Sequence, residues 1–204
     1  KEIFPNYSID LSLRFRQALN EEERIQQQSI FMIDDWCSRY DDKIKAKGDI
    51  GFLLTTLGSD GRIAFNISGT SLHSNVALRQ TNFATQADAA STLGGIEVAK
   101  NRMVITIGLE TITRNPNTVA IVCAAGESNA KIIKNALESE MMTQYPATAL
   151  QRLEKSCFYL TKGAASRLED SVNHYYFRDE WSFEKTERAI LGLCKKINKY
   201  AHKL

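Results

Sequence analysis

The sequence predicts an α/β fold, in which a Rossmann-like parallel sheet is flanked by helices. Three short apolar runs carry this prediction: IGFLLTTL from residue 50, RMVITIGL from residue 102 and TVAIVCAA from residue 118. Each run lacks the clear two-residue alternation of a half-exposed strand, as expected of strands buried on both faces. Helical or small polar sequence separates the runs, and this spacing implies right-handed crossovers between parallel strands of one sheet.

The remaining elements follow from periodicity. Residues 21–47 predict one amphipathic helix, or two, because apolar side chains such as Ile30, Ile33 and Cys37 recur at helical spacing. A helix is also predicted over residues 127–142, and SCFYLT at residues 156–161 is a candidate last strand. The order of elements therefore supports an open sheet covered by helices.

The last stretch, residues 182–204, predicts a helix with one apolar face. That face comprises Phe183, Ile190, Leu193, Ile197, Ala201 and Leu204. Leaving such a stripe in water favours association, so we expect it to dock on this domain or on a partner. The chain is accordingly divided into an α/β domain over residues 1–165 and a C-terminal extension over residues 166–204.

Composition limits the class of protein. With 204 residues, 43% of them hydrophobic, the chain can bury a sizeable core, and a net charge of +2 without a basic stripe argues against nucleic acid or an anionic membrane as partner. We find no apolar run long enough to span a membrane. The four cysteines have neither metal-ligand nor redox-pair spacing, which predicts reduced thiols and a cytoplasmic location.

The segment GSDG follows the first apolar run, and its acidic residue is Asp60. Ligand sites of open α/β sheets lie at the carboxyl ends of the strands. Gly58 and Gly61 allow turn conformations there that other residues avoid, so Asp60 is expected to face the crevice. The alternative is that Asp60 makes an ordinary Asx-turn between strand and helix.

Small polar residues follow at positions 68–71. The hydroxyls of Thr70 and Ser71, together with backbone donors and the charge of Arg62, form a candidate anion site. A capped helix start would explain the same residues. Both interpretations stay open at this point.

The segment GSDGRIAFN, preceded by YDDKIKAKGDIGF and followed by SGTSL, resembles the glucosamine-6-phosphate deaminase (isomerase) family. Thr106, Ile107 and Gly108 resemble the start of another strand and turn of that family. The resemblance covers residues 40–160. It implies the family's Rossmann-like fold, incomplete here because we find no counterpart of the family's N-terminal half.

The resemblance also implies site residues. Asp60, Ala64 and Asn66 match the family's motif, whereas Arg62 stands at the position of the catalytic His and Ile67 at that of the closing Glu. In the family, His and carboxylates move protons between the atoms of an aldose 6-phosphate before ammonia leaves. Neither arginine nor isoleucine can perform that step. The basic phosphate-binding position also falls on an uncharged side chain, Ser91.

Two functions from different classes remain. The first is a glucosamine-6-phosphate isomerase/deaminase-like protein of amino-sugar phosphate metabolism whose catalytic residues have been lost, so that enzyme activity is left open. The second is a ligand-sensing or interaction module on the same fold; a sugar-lactone hydrolase is a third interpretation that also requires His. The expected ligand is a sugar phosphate or another small anion, bound around Gly58, Gly61, Ala64, Asn66, Thr70 and Ser71. The C-terminal helix would contact a second copy or a neighbouring domain, and no cofactor or metal is expected.

Overall fold

The computed structural model describes residues 9–100, 102–168 and 180–196 of the chain. Its α-helices are α1 (Glu21–Ala46), α2 (Phe83–Leu93), α3 (Ile96–Ala99), α4 (Leu109–Thr113), α5 (Ala130–Glu138) and α6 (Phe183–Lys196). Its strands are β1 (Phe52–Thr56), β2 (Ala77–Gln80), β3 (Met103–Thr106), β4 (Val119–Ala124) and β5 (Ser156–Leu160). In the described part of the chain, short 3-10 helices cover Leu11–Arg14, Glu127–Asn129 and Pro146–Arg152. Within these residues no helix is long and apolar enough to cross a membrane.

A parallel three-stranded sheet, in the order β1-β4-β5, forms the centre of the fold. Two of the three predicted strands, from the runs at residues 50 and 118, pair directly in this sheet, and the candidate strand at residues 156–161 is its third member. The prediction of an α/β fold with a parallel sheet flanked by helices is therefore confirmed.

The run at residue 102 does not join this sheet, so the prediction that it does is wrong. Its strand β3 pairs antiparallel with β2 in a separate two-stranded sheet. After β3, Gly108 lies so close to the backbone of Ser74 that a Cβ atom would stand 2.0 Å from the Ser74 carbonyl oxygen. The N–H of Glu110 also donates to the Ser74 carbonyl at 2.9 Å, so the chain after β3 lies beside the segment that leads into β2.

The hydrophobic core lies against one face of the central sheet. Ala120 and Val122 of β4 are fully buried there, under Ile112 of α4, Ile133 of α5 and Leu150 of the last 3-10 helix. Burying a side chain of the size of Val, Leu or Ile stabilises the fold by about 1.5–3 kcal/mol. The helices that connect the strands thus cover one side of the sheet.

The helix predicted over residues 21–47 is the single helix α1. Its first turn is capped by Asn20, whose side chain accepts a hydrogen bond of 2.9 Å from the backbone N–H of Glu23. The helix predicted over residues 127–142 is shorter: a 3-10 turn precedes α5, which ends at Glu138. There the chain becomes extended at Ser139, whose carbonyl accepts from the side chain of Gln151 at 2.9 Å.

The C-terminal helix is confirmed as α6. The apolar side chains of its predicted stripe that are described, Phe183, Ile190 and Leu193, are exposed by 85%, 47% and 58%. They are therefore not buried on this domain of the single chain. Ile197, Ala201 and Leu204 lie outside the described residues.

Candidate functional site

The GSDG loop lies at the carboxyl edge of the central sheet, immediately after β1. A turn is closed by the N–H of Gly61, which donates to the Gly58 carbonyl at 2.9 Å, and by the N–H of Gly58, which donates to the Arg62 carbonyl at 3.1 Å. Gly61 has a φ of +82°, a conformation that favours glycine. The local sequence therefore determines the turn.

Asp60 does not point into an open crevice. Its Oδ1 accepts 2.8 Å from the guanidinium of Arg62, and its Oδ2 accepts 2.6 Å from the side-chain amide of Asn82 at the start of α2. The backbone N–H of Arg62 also lies 3.4 Å from Oδ1, the arrangement of an Asx-turn. Both carboxylate oxygens are thus used within the protein.

Arg62 is held on both sides by carboxylates. Besides Asp60, its guanidinium contacts Asp88 of α2 at 2.9 Å, and the hydroxyl of Ser59 donates to the same Asp88 oxygen at 3.1 Å. The Arg62 side chain is 12% exposed and lies across Gly58, where a Cβ would stand 2.5 Å from the Arg62 Cγ. Arg62 therefore fastens the loop after β1 to α2.

The charged forms of both side chains are favoured. Burial alone would raise the pKa of Asp60, but hydrogen bonds from Asn82 and Arg62 outweigh it and lower that pKa below its usual value. Burial likewise opposes the charge of Arg62, yet its bonds to Asp88 and Asp60 raise its pKa. A guanidinium that stays protonated cannot exchange protons with a substrate at neutral pH.

Asn66 supports the turn that follows. Its side chain is completely buried and donates to the carbonyls of Ile63 at 3.0 Å and Ile107 at 2.8 Å, whereas its Oδ1 has no partner. Ala64 adopts a φ of +52° between these groups. Ile67 is half-buried and supplies no ionisable group.

The residues at positions 68–71 form turns rather than the start of a helix, so the helix-cap alternative is wrong. Thr70 is 5% exposed, and Ser71 is exposed with its hydroxyl accepting from the N–H of His73 at 3.2 Å. Of the three side chains of the predicted anion site, Thr70 is buried and the guanidinium of Arg62 is bound by two carboxylates. Only the hydroxyl of Ser71 is therefore open to a ligand. That site stays a prediction.

A cavity of about 580 Å³ opens at the same edge of the sheet, next to the ends of all three strands. Its polar lining includes Thr56 at the end of β1, Asn129 before α5, Tyr159 in β5 and Thr161 directly after β5. The hydroxyl of Thr161 accepts from the N–H of Gly126 at 3.2 Å, which fixes the loop after β4. Residues of this kind can bind hydroxyl groups or a small anion. Among the described residues no cluster of three metal-ligating side chains is present.

Sequence reasoning missed Asn82 and Asp88, the partners that decide the roles of Asp60 and Arg62. Asn82 lies 22 residues after Asp60, and Asp88 lies 26 residues after Arg62. One signal was available, because an Asn directly before FATQADAAS is typical of a helix N-cap. Its side chain indeed accepts from the N–H of Thr85 at 2.9 Å.

This fold and loop define an α/β protein with a polar turn and a cavity at the carboxyl edge of its parallel sheet. No family model matches the chain. It is 32% identical over 133 residues to the glucosamine-6-phosphate deaminase of Beutenbergia cavernae, covering 65% of this chain and 50% of that protein. It is 28% identical over 177 residues to the one of Colwellia psychrerythraea, covering 87% and 61%. The chain is a relative of the glucosamine-6-phosphate deaminase family.

A solved structure supports the fold. The chain superposes with a TM-score of 0.58 and 24% identity on a monomeric glucosamine-6-phosphate deaminase, covering 72% of this chain and 56% of that one. The chain thus spans about half the length of the curated relatives it matches. Since these relatives are named deaminases, the comparison gives no support to a lactone hydrolase.

Proposed function

We propose that this chain is a non-catalytic relative of the glucosamine-6-phosphate deaminases that keeps their fold. The observation that carries the proposal is the position of Arg62 between Asp60 and Asp88. Arg62 stands at the position that the resemblance gives to the family's acid-base His. Instead of an imidazole that can take up and release protons, this position holds a guanidinium that stays charged and forms two ion pairs.

The chemistry of the family explains why this exchange matters. Opening an aldose and moving a proton between adjacent carbons needs groups that accept and release protons near neutral pH. Arg62 stays protonated, Ile67 is not ionisable, and Asp60 has both oxygens occupied by Arg62 and Asn82. A general acid or base contributes about 100-fold to 10,000-fold to a rate, so losing two such groups leaves activity near background.

An ammonia-release assay with glucosamine 6-phosphate tests the proposal on the full chain. We expect no turnover above background from the unmodified chain. The comparison variants are Asp60→Asn and the double variant Arg62→His, Ile67→Glu, each checked for cooperative unfolding. Turnover by the unmodified chain that disappears in Asp60→Asn would overturn the proposal, because it would give Asp60 a catalytic role.

The cavity at the sheet edge favours a second candidate function, the binding of a sugar phosphate or another small anion without turnover. Thr56, Asn129 and Thr161 place hydroxyl and amide groups around it, at the sheet edge where open α/β folds bind ligands. Calorimetric titration with glucosamine 6-phosphate and with inorganic phosphate tests this candidate. Heat of binding that is lost in Asn129→Ala would support it. Absence of binding at millimolar ligand, or binding unchanged in Asn129→Ala, would contradict it.

A further inference from the structure

The cavity at the carboxyl edge of the central sheet has an uncharged lining. Among the described residues that line it, none is Asp, Glu, Lys, Arg or His. Besides apolar side chains and the thiol of Cys123, the lining consists of the hydroxyls of Thr56, Tyr159 and Thr161 and the side-chain amide of Asn129. Its volume of about 580 Å³ is within the range that is typical of small-molecule sites. The cavity therefore offers a ligand hydrogen bonds rather than ion pairs.

The side-chain amide of Asn129 is partly in use within the protein. Its Nδ2 donates to the carbonyl of Ala125 at 2.8 Å, and the side chain makes no capping bond at the start of α5. The bond to Ala125 orients the amide and leaves its Oδ1 without a partner in the described part of the chain. An amide oxygen can only accept. A ligand therefore satisfies Oδ1 only if it carries a hydrogen to donate, as a hydroxyl does.

The hydroxyl of Thr161 is held in the complementary way. Its oxygen accepts from the N–H of Gly126 at 3.2 Å and from the N–H of Ala164 at 3.4 Å. A hydroxyl oxygen has two acceptor lone pairs, so both are used by the protein. The O–H of Thr161 remains free to donate, and a hydroxyl oxygen of a ligand can accept it.

The start of α5 is not arranged to hold an anion. Helix N-termini bind phosphate through backbone N–H groups that have no other partner. Here the N–H of Asn129 donates to the carbonyl of Gly126 at 3.3 Å, and the N–H of Ala130 donates to the carbonyl of Glu127. The 3-10 turn before α5 also begins with the carboxylate of Glu127. Two N–H groups at this end are therefore occupied, beside a negative charge.

The neighbouring cations do not complete a phosphate site either. Lys131 and Lys162 lie close in sequence to Asn129 and Thr161, but both are exposed and neither lines the cavity. The guanidinium of Arg62, in the loop after β1, is bound by two carboxylates. A phosphate group in the cavity would thus meet no lining cation to balance its charge.

We infer that this cavity recognises the hydroxyl groups of a small polyhydroxyl ligand, such as a monosaccharide, and that a phosphate group adds nothing to the affinity. The inference rests on the second candidate function, the binding of a ligand in this cavity. A sugar hydroxyl can donate to Oδ1 of Asn129 and accept from Thr161, whereas a phosphate dianion can only accept. Desolvating that dianion without a cation is unfavourable. The ring of Tyr159 adds apolar surface for the C–H groups of a sugar.

Calorimetric titration of the full chain with a matched pair of ligands tests the inference. Glucosamine and glucosamine 6-phosphate differ only in the phosphate group, and inorganic phosphate is the third ligand. We expect Kd values for the pair that agree within about 3-fold, and no heat from inorganic phosphate at millimolar concentration. Asn129→Ala should raise both Kd values equally, by about 2-fold to 10-fold, because each ligand loses the same hydrogen bonds.

A substitution that supplies the missing charge gives the reverse test. Asn129→Lys should make glucosamine 6-phosphate bind about 10-fold more tightly than glucosamine, through a charge-assisted hydrogen bond to the phosphate. Asn75→Lys is the matched control, since it makes the same change at an exposed Asn outside the lining. Both variants are checked for cooperative unfolding. An equal preference for the phosphate in Asn75→Lys would place the ligand outside the cavity and overturn the inference.

The results with the unmodified chain separate the inference from the candidate function. Glucosamine 6-phosphate bound at least about 10-fold more tightly than glucosamine, with binding weakened in Asn129→Ala, would overturn the inference and leave the candidate function standing. Absence of heat with all three ligands would overturn both. Binding of glucosamine that is unchanged in Asn129→Ala would also overturn both, because the ligand would then lie elsewhere.

Discussion

The guanidinium of Arg62 and the carboxylate of Asp60 form an ion pair of 2.8 Å at the carboxyl edge of the central sheet. Through Asp88, the same guanidinium also connects the loop after β1 to α2. This connection supports the structural role that we propose for Arg62.

Replacing Arg62 by Met should lower the free energy of unfolding by about 2–3 kcal/mol. The substitution leaves the carboxylate of Asp60, which is 14% exposed, without its cation. Urea denaturation measures the change. Arg24→Met is the control, because Arg24 pairs with Glu21 at an exposed surface and should contribute less than about 1 kcal/mol. Equal losses in the two variants would contradict a structural role for Arg62.

Gly58→Ala should destabilise the protein through Arg62. The new Cβ would stand 2.5–2.7 Å from atoms of the Arg62 side chain, which would have to leave Asp60 and Asp88. A double-mutant cycle with Arg62→Ala measures this coupling. We expect Gly58→Ala to cost at least about 1 kcal/mol less in the Arg62→Ala background. Additive effects would show that Gly58 is needed for backbone reasons alone.

The stability contribution of Asp60 should depend on pH. Burial on its own would raise the pKa of Asp60, but hydrogen bonds from Asn82 and Arg62 have the larger, opposite effect. The pKa of Asp60 in the folded protein therefore lies below the ordinary value of about 3.9. A lowered pKa in the folded state gives stability that is present above pH 4 and is lost as pH falls through the folded pKa. The difference in unfolding free energy between the unmodified chain and Asp60→Asn should therefore be largest near pH 7 and shrink below pH 4. A difference that is constant from pH 7 to pH 3 would contradict this.

Local sequence predicted much of the fold. The strands β1 and β4 and the helix α1 could be predicted because their patterns lie in residues close together in the sequence. The turn at Gly61 is local in the same way, since its φ of +82° favours glycine. Apolar content alone could not show that β3 leaves the central sheet. It pairs with β2, a strand more than twenty residues earlier, and the chain after it contacts the backbone of Ser74.

What the sequence by itself determined is the α/β class and the turn of the GSDG loop, because both depend on residue identity and local pattern. Tertiary structure decided what Asp60 and Arg62 do, since Asn82 and Asp88 reach them from a helix distant in sequence. It also decided that, among the residues the structure describes, the core packs against one face of the central sheet. An apolar run predicts a strand buried on both sides, but which side is covered depends on the direction in which successive crossovers travel.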